Sequence, residues 1–242
     1  MMALATSIMA GAIGACVGSF IGTSVVRGAR AEQPWHGRSH CDACGAGLGF
    51  ARTIPIISYL GSRGSCGQCR SPIDRVHPAA EVAAVAVSAS PFLFLEPAKA
   101  SLIAGLGLVL LWESLVDVRT GRLPDRLTLA CLCFSISLGL WRSWAVLATG
   151  LAAAGITFAL LEGLRRVFVR TAGGPGLGFG DVKLVTAMAV WLGVATPWVI
   201  VLASGAGLLF VAVRGPASRT IPFGPFIAGA AWIVGLVREA QL

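Results

Sequence analysis

Apolar runs of roughly the length that spans a bilayer, about 20 residues, recur eight times along the chain. They fall at about 3–26, 79–95, 98–116, 124–141, 143–163, 181–195, 196–213 and 222–238. Each reads as a membrane helix, so the fold class is all-α: a polytopic integral membrane protein of about eight transmembrane helices. Almost nothing separates the runs at 124–141 and 143–163, which predicts a tight helical hairpin. The polar remainder is unevenly shared: 27–78 is the one long segment between runs, and the other connections are short. The chain therefore divides into a first membrane helix (1–26), a cytoplasmic loop (27–78) and a membrane core of seven helices (79–242). Arg27 and Arg30, the first basic residues, follow the first apolar run instead of preceding it. That order belongs to a first transmembrane helix with its N-terminus outside, not to a cleavable signal peptide.

Composition supports lipid as the solvent. The 242 residues are 56% hydrophobic and 12% charged, with a mean hydropathy of +0.80, beyond what a soluble domain needs. Seven tryptophans, several near predicted helix ends, suit interfacial anchors. In a soluble chain the net charge of +8 would suggest nucleic acid. Here topology accounts for it. Threading from an outside N-terminus puts 27–78, 117–126, 164–183 and 214–221 in the cytoplasm, and of the 19 Lys and Arg only Lys99, Arg142 and Arg238 fall elsewhere. This positive-inside bias fits eight spans with both termini outside and requires no nucleic-acid partner.

The long loop contains Cys41-Asp42-Ala43-Cys44 and, further on, Cys66-Gly67-Gln68-Cys69. Paired CxxC knuckles at that separation fit four thiolates around one tetrahedral zinc. Four reduced, unliganded cysteines or a redox pair are the alternatives, and a cytoplasmic setting argues against structural disulfides. The loop is short and poor in apolar residues, so a bound metal would supply fold energy that packing cannot. His36, His40 and His77 lie nearby as bystanders to an already complete ligand set. Cys16, Cys131 and Cys133 lie inside apolar runs and read as small packing residues.

The remaining chemistry is acidic. Asp181 stands in Gly176-Leu177-Gly178-Phe179-Gly180-Asp181-Val182-Lys183-Leu184, between a loop broken by Thr171-Ala172-Gly173-Gly174-Pro175 and a new apolar helix. Gly178 and Gly180 would let a backbone approach the acid. Helix capping is the plain alternative for Asp181. Asp117 ends the third run, just before Pro124-Asp125 opens the fourth. The threading puts Asp117 and Asp181 at one depth on the cytoplasmic side, where a carboxylate pair could activate water and polarise a carbonyl. Asp181 opens a helix and Asp117 closes one, so helix dipoles favour Asp181 as the base. Glu113, one turn before Asp117, could raise the proton affinity of that acid by like-charge repulsion but reads better as a solvated interfacial acid, and Lys183 reads as a substrate contact or interfacial anchor. Glu162 with Arg165 and Arg166 reads as local pairing at a helix end. A transporter would carry acids near the middle of its spans, whereas these spans are almost free of charge.

Taken in order, these pieces resemble the type IV prepilin peptidase family, membrane aspartic proteases of bacteria. The matching stretches are Gly18-Ser19-Phe20 with Arg27, the two CxxC pairs with Ile54-Pro55-Ile56-Ile57-Ser58-Tyr59-Leu60 between them, and Pro72-Ile73-Asp74-Arg75-Val76-His77-Pro78 with Glu81. Asp117, Pro124-Asp125-Arg126-Leu127-Thr128-Leu129, the Gly178–Leu184 core and Pro222-Phe223-Gly224-Pro225-Phe226 complete the set. The resemblance implies cleavage of the basic leader of type IV prepilins and pseudopilins at the cytoplasmic face of the bacterial inner membrane. It also implies N-methylation of the new terminus with S-adenosylmethionine. Asp117 and Asp181 match the catalytic aspartates; Asp125, Gly178, Gly180 and Lys183 are supporting positions. Methylation is associated with the N-terminal cytoplasmic region, where Glu81 is a candidate. Gly22 and Thr53 stand where the family commonly has Asn, which bears on methylation more than on proteolysis.

Overall fold

The computed structural model describes residues 2–30, 38–172, 176–214 and 221–241. It divides into two compact units, 1–93 and 94–242. Among the described residues there are helices and two isolated bridges, and no strand. His36, the Gly173-Gly174-Pro175 break and Arg219 lie outside the described residues.

The first unit pairs α1 (Met2–Ala29) with α3 (Val76–Ala89), and a short 3-10 turn continues α3 to Leu93. Gly11, Gly14, Gly18 and Gly22 recur on one face of α1, and their neighbours run backwards along α3 from Val85 to His77. The two helices are therefore antiparallel. A Cβ at Gly18 would stand 2.7 Å from the Ala80 carbonyl oxygen, so contact here is backbone to backbone, as small residues permit in membrane helices. Among the described residues of the loop between them, a 3-10 turn (Phe50–Arg52) precedes the short helix α2 (Ile57–Gly61).

The second unit contains α4 (Pro97–Thr120), α5 (Asp125–Arg142), α6 (Trp144–Ala172), α7 (Phe179–Leu192), α8 (Thr196–Arg214) and α9 (Gly224–Ala240). Its centre is α7, whose residues from Ala187 to Leu192 are all buried. A helix apolar all round belongs in a core, and the hydrophobic cluster of this unit is built on its Leu184, Met188 and Leu192. Ends are set by local chemistry. Pro97 suits the first turn of α4, and Gly121, at φ 63°, takes the left-handed position that closes it, its N–H bonding the Asp117 carbonyl. Ser143 alone separates α5 from α6, as the hairpin expectation required, but α6 runs to Ala172, past the expected end at 163.

Among the described residues, five helical stretches are long and apolar enough to cross a membrane: Ala3–Ala29, Val76–Leu93, Pro97–Thr120, Trp144–Thr171 and Phe179–Val213.

The core tolerates little added volume where α6 meets α7. A Cβ at Gly150 would lie 2.1 Å from the Val190 carbonyl oxygen, which is backbone and cannot rotate away. Gly150→Ala is expected to destabilise the unit by about 1–3 kcal/mol, the usual cost of overpacking. A drop in the thermal midpoint of the purified variant checks it, and an unchanged midpoint contradicts the close packing.

Candidate active site

Asp117 lies in the last turn of α4 and is 5% exposed. Its Oδ2 accepts a hydrogen bond of 2.9 Å from the Gly224 N–H. The reason is local: Gly224 opens α9, and the first N–H groups of a helix have no partner within it. Asp117 supplies one. Glycine is needed because a Cβ at 224 would stand 2.8 Å from that same oxygen.

Asp181 sits in the first turn of α7, three residues after the N-cap Gly178. The Asp181 carboxylate turns back toward the Gly178 backbone, in the position of the acid in a capping box whose other half a glycine cannot provide. A Cβ at Gly178 would come within 2.8 Å of Asp181 Oδ2. Each carboxylate thus lies against a glycine at the start of a helix. The two acids are close enough to act on each other electrostatically. Leu123 packs into the gap, touching the positions where Gly180 and Gly224 lack side chains.

Capping accounts for one contact of Asp181, but not for its surroundings. It also lines an apolar cavity of about 390 Å³ among α6, α7, α8 and α9, with Leu164, Phe168, Val185, Phe223 and Arg165. The helix-dipole distinction drawn from sequence does not survive. Asp117 closes α4 but also meets the opening of α9, so helix N-termini serve both acids.

Lys183 does not point into this cavity. It forms an ion pair with Asp125 and lies 5.2 Å from the centre of the Phe179 ring. Arg165 stands 5.3 Å from the same ring and is held by Glu162 at 2.7 Å, as local pairing predicted. Because the Asp125 side chain is 80% exposed, this pair contributes about 1 kcal/mol or less.

Glu113 corrects the sequence reading. It is fully buried, accepting hydrogen bonds from the Thr128 hydroxyl and the Cys131 thiol, so it is not solvated. Four residues, about one helical turn, before Asp117, it faces α5, which supplies both of these donors. Cys131 is a buried packing residue as expected, with this polar contact added. Gly224 and Leu123 were missed as site residues. Their signals were a Gly-Pro helix start and the short link between α4 and α5.

In the first unit, the sulfur atoms of Cys41, Cys44, Cys66 and Cys69 lie within 4.8 Å of one another, a set that could hold a metal ion. The knuckles repeat one backbone design. The Gly45 N–H bonds the Cys41 carbonyl and the Arg70 N–H bonds the Cys66 carbonyl, with positive φ at both Gly45 and Arg70. The Cys44 and Ala43 backbone N–H groups hold the Cys41 thiol down at about 6. His40 and His77 remain outside this set. His77 pairs with Asp42 at 3.3 Å, keeping that carboxyl below its usual range, and His40 meets Arg27 at 3.1 Å.

Glu81 is buried, and its Oε2 accepts the Ile56 N–H at 2.6 Å. This holds Ile56 at φ 63°, a conformation costly for a β-branched residue. Gly22 fits its place physically, since a Cβ there would stand 3.2 Å from His77 Cα.

Comparison with known proteins follows the same division. Residues 12–95 match the Bacterial Peptidase A24 N-terminal domain, and 102–213 match the Type IV leader peptidase family. A "Prepilin leader peptidase/N-methyltransferase" of Burkholderia pseudomallei is 37% identical over 198 residues, covering 79% of this chain and 64% of the relative. The chain thus spans a little under two thirds of that relative's length. Proteins of the same name from Aeromonas hydrophila (32% identical, 81% of this chain, 70% of the relative) and Pseudomonas aeruginosa (33%, 81% and 70%) are also similar. No solved structure matches. With the two family regions in order and relatives above 30% identity matched over most of their length, the chain belongs to the type IV leader peptidase family.

Proposed function

We propose that this chain is a membrane aspartic endopeptidase that removes the leader of type IV prepilins and pseudopilins, with Asp117 and Asp181 as the catalytic pair. The observation that carries the reading is two neighbouring carboxylates, one of them in the wall of an apolar cavity. An apolar segment beside a scissile bond suits such a cavity, and the family relationship supplies the substrate class. In the reaction the ionised member of the pair takes a proton from water, and the hydroxide adds to the scissile carbonyl. The protonated member donates to the carbonyl oxygen, and collapse passes a proton to the leaving amine. The pair shares one proton throughout and titrates as a unit. Phe179, Gly180 and the Lys183–Asp125 pair act by placing Asp181 on the first turn of α7.

The setting is the bacterial inner membrane with eight spans, formed by α1 and by α3 to α9, both termini outside and the acid pair at the cytoplasmic face. The distribution of basic residues supports it.

The four cysteines hold structural zinc. Four sulfurs about 2.3 Å from a tetrahedral zinc stand about 3.8 Å apart, and the Cys41 and Cys69 sulfurs are 3.9 Å apart. Zinc there would tie the two knuckles together. The names of the relatives also support N-methylation of the new terminus with S-adenosylmethionine. Glu81 does not fit as a ligand for that donor, because its buried carboxylate is committed to Ile56. It is a positioning residue for the 54–57 turn.

Co-expression with a leader-bearing pilin, read by intact mass, tests the function. The expected product lacks the leader and carries one added methyl group. Loss of the leader without the methyl removes the transferase from the reading. Intact leaders on several different pilins would overturn the peptidase and reopen ion transport through the acid pair.

A further inference from the structure

The four helices that frame the acid pair meet again at their other ends. Lys99 lies in the first turn of α4, Arg142 in the last turn of α5, Trp191 near the end of α7 and Glu239 near the end of α9. Lys99 and Asp117 are 18 positions apart on one helix, or about 27 Å at 1.5 Å per residue. This second polar layer is therefore a separate place from the candidate active site.

Its centre is Glu239, 2% exposed. Lys99 pairs with Oε2, and Trp191 Nε1 donates to Oε1 at 3.0 Å. Arg142 stands 3.8 Å from Oε1, beyond hydrogen-bond range. Arg238 donates to the Trp191 carbonyl oxygen and is close enough to Arg142 for each to feel the other's charge. Among the described residues, three cations thus gather at one carboxylate, which Lys99 engages as an ion pair and Trp191 by a hydrogen bond. Two guanidiniums thus lie around the same Trp191–Glu239 pair, with most of their donors unused by these contacts. Like charges placed together in a partly desolvated layer repel unless an anion lies between them.

These three cations are also the ones that fall opposite every other Lys and Arg in the eight-span threading, on the side where membrane proteins carry few. Trp141 and Trp144 flank Arg142 in sequence and are 50% and 77% exposed, the amphipathic anchors expected at headgroup level. Guanidinium forks match the oxygens of a phosphodiester and bind it bidentately.

We propose that Arg142 and Arg238 bind the phosphate of an anionic phospholipid at this end of the second unit. The lipid bridges α5 to α9 and neutralises the excess charge around Glu239. Neither the peptidase reading nor the metal enters this inference.

The test uses the full chain purified in detergent, with thermal unfolding followed by tryptophan fluorescence. Phosphatidylglycerol is expected to raise the midpoint by about 2–4 °C, the shift that modest binding gives a protein of this size. Phosphatidylcholine and inorganic phosphate are expected to leave it unchanged. Native mass spectrometry should find phosphatidylglycerol retained. Arg142→Gln and Arg238→Gln should each lose most of the shift. Equal shifts from the two lipids, or a full shift in both variants, overturn the site. A full shift from inorganic phosphate alone overturns the lipid as its ligand. Should a variant fail to fold, the comparison of lipids on the unmodified chain still decides.

Discussion

Asp117→Asn and Asp181→Asn are each expected to lower leader cleavage by about 10³-fold or more, and the double variant is expected to be little worse than either one. Asparagine keeps the volume and one oxygen, so the Gly224 N–H can still bond at position 117 and the side chain at position 181 can still fit against Gly178. What it removes is the ability to exchange a proton. General acid–base groups contribute about 10²–10⁴-fold each, and groups that work as one unit lose their effects non-additively, because the first removal already disables the step. A pair sharing one proton should show that pattern strongly. The measurement is the initial rate of leader loss from a purified prepilin, with thermal unfolding of each variant as a folding control. A well-folded single variant retaining a tenth or more of the wild-type rate would remove that aspartate from the chemistry. Additive losses in the double variant would mean that the two acids act in separate steps.

Much of this arrangement was legible in the sequence because lipid imposes simple rules. Apolar run length located the long helices, since a chain in hydrocarbon must satisfy its backbone internally. The 124–141 and 143–163 runs met at Ser143 as their spacing required. The two CxxC pairs could be assigned together because the knuckle is a local structure repeated twice. What was not legible depends on which face of each helix turns inward. Glu113 reads as an exposed end of helix in sequence, yet α5 brings Thr128 and Cys131 over it. Dipoles counted along single helices gave Asp117 only the closing end of α4. Contact with α9, 107 positions away, supplied a second and opposite terminus. Lys99, Arg142 and Arg238 were noted one by one as exceptions to a charge rule, and nothing in their spacing announced that Glu239 gathers them.

Removing the metal is expected to unfold the 38–75 segment while leaving the helices of the second unit intact. Of the residues from 38 to 75, Cys66 alone is buried, so this stretch has no apolar core to fall back on. Two isolated bridges and five-residue α2 supply little cooperative structure. Structural zinc in small folds contributes about 10–16 kcal/mol at neutral pH, well above what a coreless segment of this size can lose and remain ordered. Cys66→Ser removes one thiolate from the interior of the set, and Cys44→Ser one from its exposed rim; both should lose bound zinc. Exposed Arg52, Arg63 and Arg70 then report the result. They should resist trypsin in the wild type and be cut rapidly in either variant or after strong chelation. Elemental analysis of the purified chain should give one zinc per molecule before treatment and none after it. The second unit carries its own hydrophobic cluster and its own thermal transition should persist. If the segment stays resistant to trypsin without metal, the knuckles are held by contacts along the backbone alone. The four thiols would then be a reduced cluster, not a ligand set.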